Sequence, residues 1–270
     1  MQLVPAANVN FTRLILAKAS GGIDPIHQFE ISRIGPNLNL FGYDISLTNS
    51  ALFMMIAVGI IYAIMIYGTR LKSLVPGRIQ SAAEMLYEFI ADTLRSTTGQ
   101  EGMKFLPLVF SLFIFVLVCN IVGLIPGTFT VTSHIIVTFV FAMLVITTVI
   151  GYGIYTHGTH FFGLFLPSGV PTLLVPFIVV IEVVSFISRP ISLSMRLFAN
   201  MLAGHIALKV FAGFIVLMTT AGGAALVLTP LPLAMIVALY ALELLVACLQ
   251  AFVFSILTCI YLNDALHPGH

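Results

Sequence analysis

Apolar residues in this chain run in unbroken blocks instead of alternating with polar ones. Three blocks, at 46–69, 105–126 and 134–155, are close to the roughly 20 residues a helix needs to cross a hydrocarbon layer about 30 Å thick. The block at 76–98 is different. Glu84, Glu88, Asp92 and Arg95 recur every three or four residues, and Ile79, Ala83, Leu86, Ile90 and Leu94 recur opposite them. That pattern predicts an amphipathic helix on the membrane surface, not a span. Ile125-Pro126-Gly127 breaks the second span, and 156–169 is punctuated by Gly and Pro as loops are.

The last hundred residues hold two much longer apolar segments, 170–218 and 231–263. At 1.5 Å per residue the first would reach about 70 Å as one helix, over twice the hydrocarbon thickness. Each is either two spans joined by a tight turn, for which Pro190 offers a break, or one strongly tilted helix. A turn at bilayer depth leaves backbone groups unsatisfied, and proline kinks a helix more readily than it reverses one. Tilted helices are the favoured reading. The expected fold is an all-α polytopic membrane protein with three upright transmembrane helices, one amphipathic surface helix and two long tilted membrane-embedded helices. It divides into a polar N-terminal segment, 1–45, with room for a surface helix, and a single membrane domain, 46–270.

Composition agrees: 60% of residues are hydrophobic and 8% charged, against about 25% charged in soluble domains. A net charge of +1 without a basic run gives no reason to expect nucleic acid. Cys119, Cys248 and Cys259 are irregularly spaced in apolar sequence, which suits buried small hydrophobes better than disulfides or metal ligands. Leu14 to Ala19 loosely imitates a cleavage site, but the apolar run before it is short and broken by Arg13, so no cleaved signal is expected. Arg70, Lys72, Arg78, Arg95 and Lys104 cluster in 70–104, whereas 127–133 holds no Lys or Arg. The positive-inside rule then puts the amphipathic helix on the cytoplasmic or matrix side and the N-terminus outside.

Arg196 is the residue that most needs explaining. Between residues 161 and 208 the only other charges, histidines aside, are Glu182 and Arg189. A guanidinium stays protonated, and a charge at bilayer depth costs at least about 2.5–3.5 kcal/mol. At 100° per residue, Glu182, Ser185, Arg189, Ser192 and Asn200 all fall within about 40° of Arg196, a polar stripe about 27 Å long. His205 faces the other way. On the last segment Glu243, Gln250 and Tyr261 lie within about 20° of one another. A fixed cation, titratable Glu and His groups and amides on two facing helices suit a proton or ion pathway.

Plainer readings stand beside this one. Ser185 and Ser192 can bond back to a helix carbonyl, Asn200 and Gln250 can join helices, and Arg189 can snorkel toward the interface. His157 and His160 form an H-x-x-H pair in a Gly-rich loop with no third ligand, so no metal site is expected. His134 reads as a helix-end histidine. Arg196, Glu182, Glu243 and His205 are harder to set aside, because ionisable groups within spans are functional by default.

The string from Arg189 to His205, Arg-Pro-Ile-Ser-Leu-Ser-Met-Arg-Leu-Phe-Ala-Asn-Met-Leu-Ala-Gly-His, is specific. With Leu249-Gln250-Ala-Phe-Val-Phe254 and Tyr261-Leu-Asn263, it resembles the subunit a family of the F-type ATP synthase membrane sector. His27-Gln-Phe-Glu-Ile31, Cys119-Asn120 through Pro126, and Phe129 to His134 resemble further family segments in the same order. The resemblance covers all but residues 1–22. It implies a stator beside a ring of c subunits, with two offset aqueous half-channels that load and unload a ring carboxylate. Arg196 matches the family's essential arginine, which stabilises the ionised ring carboxylate and blocks a direct leak. His205 and Glu243 match the inlet pair, in the order of mitochondria and their bacterial relatives, not the acid-then-His order of many bacteria. Glu182 matches the outlet acid, Asn200 and Gln250 polar neighbours of the arginine, and Asn120 a channel-lining group. Arg189, Ser192 and Tyr261 are secondary positions of the same stripes. Gly123 stands where many bacterial members have an acid, so that relay point is lost.

The partners implied are the c-ring subunits, b-type peripheral-stalk subunits, the remaining ATP synthase subunits and membrane lipid. No cofactor or metal is implied. The chain has no G-x-x-x-x-G-K-[ST] loop and is expected to be a non-catalytic proton-channel part of an enzyme complex. The location implied is the bacterial plasma (inner) membrane, multi-pass, with the mitochondrial inner membrane as the alternative. A secondary ion-coupled transporter would need internal repeats, and none is found. An intramembrane hydrolase would need a motif such as H-E-x-x-H or G-x-S-x-G, and neither is present.

Overall fold

The structure is a computed structural model that describes residues 29–32, 39–40, 43–44, 46–70, 77–125, 127–158, 163 and 174–266. The expected surface helix within 1–45, His27, Lys72, Pro126, His160 and residues 170–173 lie outside the described residues. The described chain is helical: α1 Asn49–Arg70, α2 Arg78–Thr98, α3 Leu106–Leu124, α4 Ile135–His157, α5 Val175–Ala221, the short α6 Ala224–Leu228, and α7 Pro230–Leu266. Single 3-10 turns, Glu101–Phe105 and Val131–Ser133, precede α3 and α4. A two-residue antiparallel ladder pairs Asn39 with Asp44 and Leu40 with Tyr43.

Among the described residues, five stretches are long and apolar enough to cross a membrane: Asn49–Gly68, Glu101–Leu124, Ile135–His157, Val175–Ala221 and Leu226–Leu266. The protein is a polytopic all-α membrane protein. The choice left open for the last two segments falls to unbroken helices. α5 runs 47 residues straight through Pro190, and α7 runs 37. They extend about 70 Å and 55 Å, so across a layer of about 30 Å both must incline strongly. Pro190 removes one helical hydrogen bond and is itself buried, and α5 continues through it. Gly222 and Gly223 end the helix at φ 66° and 59°, a backbone region other residues rarely adopt.

Thr48 starts α1 by accepting the Ala51 N–H on its hydroxyl at 3.3 Å. Asn49 ties the preceding strand of chain to it, donating from its side chain to the Glu30 carbonyl at 3.0 Å. In α2, Glu84, Glu88, Asp92 and Arg95 are exposed, and Ala83, Ile90 and Leu94 are buried as the pattern requires. The buried face meets α1, α3 and α7, so this helix is seated on protein as well as on the surface. Ile79, expected on the apolar face, is exposed at the helix start.

The core lies where α3 packs against α7, with α4 and α5 beside them. Val109, Val116, Val145, Val149, Phe254 and Leu262 fill it. Ala247, Ala251 and Ala265 are fully buried along α7. Small residues let helix backbones approach closely, which in a bilayer replaces the missing hydrophobic drive between helices.

Candidate functional site

The site lies along the seam between α5 and α7, which run antiparallel, and has two ends. Near one end, α5 carries Gly204, His205 and Lys209, and α7 carries Tyr240 and Glu243. Glu243 is only 7% exposed, and neither carboxyl oxygen has a hydrogen-bond partner among the described residues. Its carboxyl group occupies the space a side chain at position 204 would need, so a β-carbon there would overlap it. An enclosed carboxyl group with no protein donor is costly as a bare anion and open to an incoming proton.

His205 bonds through Nε2 to the Thr130 hydroxyl at 3.1 Å, and the Phe29 ring stands edge-on to it at 6.3 Å. His205, Lys209 and Tyr240 line a cavity of about 230 Å³ with Leu124, Thr128 and Ile236. The cavity thus joins the end of α3, the turn after it, α5 and α7. Tyr240 is also close enough to Glu243 for the two to interact electrostatically, as are His205 and Lys209. His205 thus lines the cavity itself, whereas the Glu243 carboxyl lies against Gly204, the residue before it on α5.

At the other end of the seam Arg189 is the hub. It donates to Asp264 at 2.6 Å, lies 3.8 Å from Glu182, and its guanidinium rests 5.4 Å from the Phe186 ring centre and 5.0 Å from that of Tyr261. Cation–ring stacking and a charge-assisted hydrogen bond both favour arginine here. Nearby, His157 meets the Leu266 carbonyl at 3.1 Å, which satisfies one of the last carbonyls of α7.

Arg196 lies between these ends, nine residues before His205 and seven after Arg189. Its side chain is exposed, and no described residue forms a hydrogen bond or ion pair with it. Ser192 and Asn200 are exposed beside it, as are Ala199 and Ala203, so the face around the guanidinium is shallow. Leu193, Leu197 and Met201 on the opposite face are buried. Arg196 and Arg189 both act electrostatically on the Tyr261 phenol, so all three belong to one field.

Gln250 and Tyr261 are buried on the same face of α7 as Glu243, each 9% exposed. Asn120, expected to line a channel, has protein partners on both sides of its amide. It is fully buried, donates to the Ala247 carbonyl at 3.2 Å and accepts from the Thr132 hydroxyl at 2.9 Å. It joins α3, α7 and the turn before α4. His134 stands at the start of α4, stacked on Phe129 at 5.0 Å. Reasoning from sequence missed Asp264, which lies one residue past the family-like Tyr261-Leu-Asn263 string. It also missed Lys209, four residues after His205 and hence on the same helix face, and Thr130, which lies inside the family-like Phe129 to His134 segment but was given no role there.

The fold and seam define a multi-pass helical membrane protein with ionisable groups held between two over-long helices and one cation turned outward. The family model for the ATP synthase A chain matches residues 51–263, and the chain belongs to that family. It is 66% identical over 248 residues to ATP synthase subunit a of Xanthobacter autotrophicus, covering 92% of this chain and 99% of that protein. It is 63% identical over 248 residues to the subunit a of Azorhizobium caulinodans, with the same coverage. Against that of Mesorhizobium japonicum it is 61% identical over 252 residues, covering 93% of this chain and all of that protein. The shared name supports a role in ATP synthesis and ion transport within a membrane-bound ATP synthase, alongside its other subunits.

Proposed function

We propose that this chain is the proton-translocating stator subunit of an F-type ATP synthase, with two aqueous half-channels and Arg196 between them. The observation that carries the reading is the placement of Arg196: outward-facing, unpaired among the described residues, and flanked along the seam by two separate polar clusters. The inlet comprises the cavity lined by His205, Lys209 and Tyr240 together with Glu243, which lies against Gly204. The Glu182, Arg189, Asp264 and Tyr261 cluster is the outlet. By the positive-inside rule the inlet pocket faces the outside and the outlet faces the cytoplasm. The c-ring is the partner that covers Arg196, because the exposed Ser192, Ala199 and Ala203 let a foreign helix approach closely. The b-type subunits of the peripheral stalk hold the chain still.

A proton taken up at Glu243 and His205 reaches a ring carboxylate beside the Arg196 face and is carried round with the ring. It leaves near Glu182 after Arg196 has drawn the carboxylate back to its ionised form. Because the guanidinium keeps its own protons, it cannot relay one straight across. A proton crossing 100 mV releases about 2.3 kcal/mol, and a direct leak would dissipate that. Asn120 holds the inlet helices together. The relatives' organisms support a bacterial plasma membrane as the location.

The test is to reconstitute the Arg196→Ala variant, assembled with its ring and catalytic head, in vesicles and to measure ATP made under an imposed proton gradient. Coupled synthesis should vanish. Near-normal synthesis would overturn the reading.

A further inference from the structure

The inlet histidine is held by a residue outside the seam, and hydrogen accounting fixes how. Gly123 lies in the last turn of α3, where carbonyls have no helical donor. Two hydroxyls reach its carbonyl, Thr130 at 3.4 Å and Thr128 at 3.5 Å. Thr128 has nearer acceptors, the Val122 carbonyl at 2.6 Å and the Ile125 carbonyl at 2.7 Å, and a hydroxyl carries one hydrogen. His205 Nε2 is the nearer partner of Thr130. Directing the Thr130 hydrogen to Gly123 is nonetheless the arrangement in which the Thr128, Gly123 and His205 contacts all form at once, with Nε2–H donating to Thr130.

We infer that Thr130 is a positioning residue that holds His205 as the Nε2–H tautomer and leaves Nδ1 as the atom that accepts the incoming proton. In a neutral imidazole one nitrogen donates and the other accepts, so fixing one fixes both. A proton bonds to Nδ1 to form the imidazolium and leaves from Nδ1 again, while the Nε2–H remains on Thr130. The groups around the ring are Lys209 on its own helix, Tyr240 from α7 and Phe29, with Glu243 of α7 against the preceding Gly204. None of them bonds to Nε2 in place of Thr130. Gly123 completes the arrangement. A β-carbon there would lie 2.8 Å from the Thr130 methyl carbon and 3.2 Å from its hydroxyl oxygen. The glycine is therefore the seat that lets Thr130 reach both partners.

The inference rests on the inlet reading for its purpose, but its test has a separate readout. The chain, assembled with its ring in lipid vesicles and carrying ring-¹⁵N histidine, is observed by solid-state NMR at alkaline pH. The His205 signals are identified by their loss in His205→Gln. Wild type and Thr130→Ser should show the Nε2–H form. Thr130→Val should show both tautomers, and so should Gly123→Ala, because the new methyl pushes Thr130 aside. Gly123→Ala combined with Thr130→Ser should restore the Nε2–H form, since serine lacks the methyl that the alanine meets. A Nδ1–H wild type, or a Thr130→Val spectrum identical to wild type, overturns the assignment. Proton-driven synthesis should fall about fivefold in Thr130→Val, the size expected of one hydrogen bond, and return in Thr130→Ser. If the tautomer shifts as stated while synthesis stays normal, the positioning stands and the inlet role of His205 falls.

Discussion

Arg189 on α5 and Asp264 on α7 form a 2.6 Å charge-assisted hydrogen bond that closes one end of the seam between the two longest helices. Seven residues along the same helix face, Arg196 has no such partner among the described residues. The two arginines are alike in sequence setting and opposite in structural role. One is consumed by the protein and the other is offered outward.

That contrast sets the first prediction. Asp264→Asn keeps a neutral acceptor for Arg189 but leaves Glu182 as its one carboxylate partner among the described residues, whereas Asp264→Ala removes that acceptor altogether. In a double-mutant cycle on the assembled complex, Arg189→Gln and Asp264→Ala should couple by about 1.5–3 kcal/mol, the range for hydrogen bonds to charged groups. Thermal unfolding of the detergent-purified complex measures it. Strict additivity would mean that the contact adds nothing to stability.

Arg196→Lys separates permanent charge from mere positive charge. A lysine in an apolar setting can lose its proton, and it lacks the planar fork. Coupled synthesis should fall nearly as far as in Arg196→Ala, measured in the same vesicles under an imposed gradient. A lysine variant at half of wild-type rate would show that an ordinary point charge suffices.

Gly204 tests the inlet without touching an ionisable group. His205→Ala and Glu243→Ala should each depress synthesis while the complex still assembles, and exchanging the two residues should recover part of the loss. Gly204→Ala places a methyl where the Glu243 carboxyl lies. It should lower synthesis to a similar degree, and combining it with Glu243→Ala should add little further loss. Independent, multiplying effects in the double variant would separate Gly204 from Glu243.

Asn120 is predicted to matter for stability more than for proton flow. Asn120→Ala strands the Thr132 hydroxyl and takes a donor from the Ala247 carbonyl, at a cost of about 1–3 kcal/mol. The variant complex should unfold at lower temperature yet retain synthesis when cool. Lost synthesis with unchanged thermal stability would return Asn120 to the channel.

Much of this fold was legible because span length, surface helix and polar stripe are local patterns. The stripe through Glu182, Arg189, Arg196 and Asn200 needed only the helical period. Which of its members were paired was not legible. Asp264 lies 75 residues from Arg189, and no local period connects them. Packing faces were equally hidden. Val184, Ile187 and Ile191 face outward on α5 while Leu193 and Leu197 face inward, and all five are apolar. In a bilayer the lipid-facing and protein-facing sides are chemically alike, so composition cannot tell them apart. The partners of Asn120 were hidden for the same reason: a polar side chain in a span can serve water, a neighbouring helix or both, and Ala247 lies 127 residues away in sequence.

The outward Arg196 also bears on how such a subunit is made. Alone in a bilayer, the chain would expose a guanidinium to lipid at a cost of at least about 2.5–3.5 kcal/mol, relieved only in part by snorkelling. A covering surface removes that cost, so newly inserted chains are retained by capture. A copy left without that surface keeps the cost, so the inserted chain is more stable covered than alone.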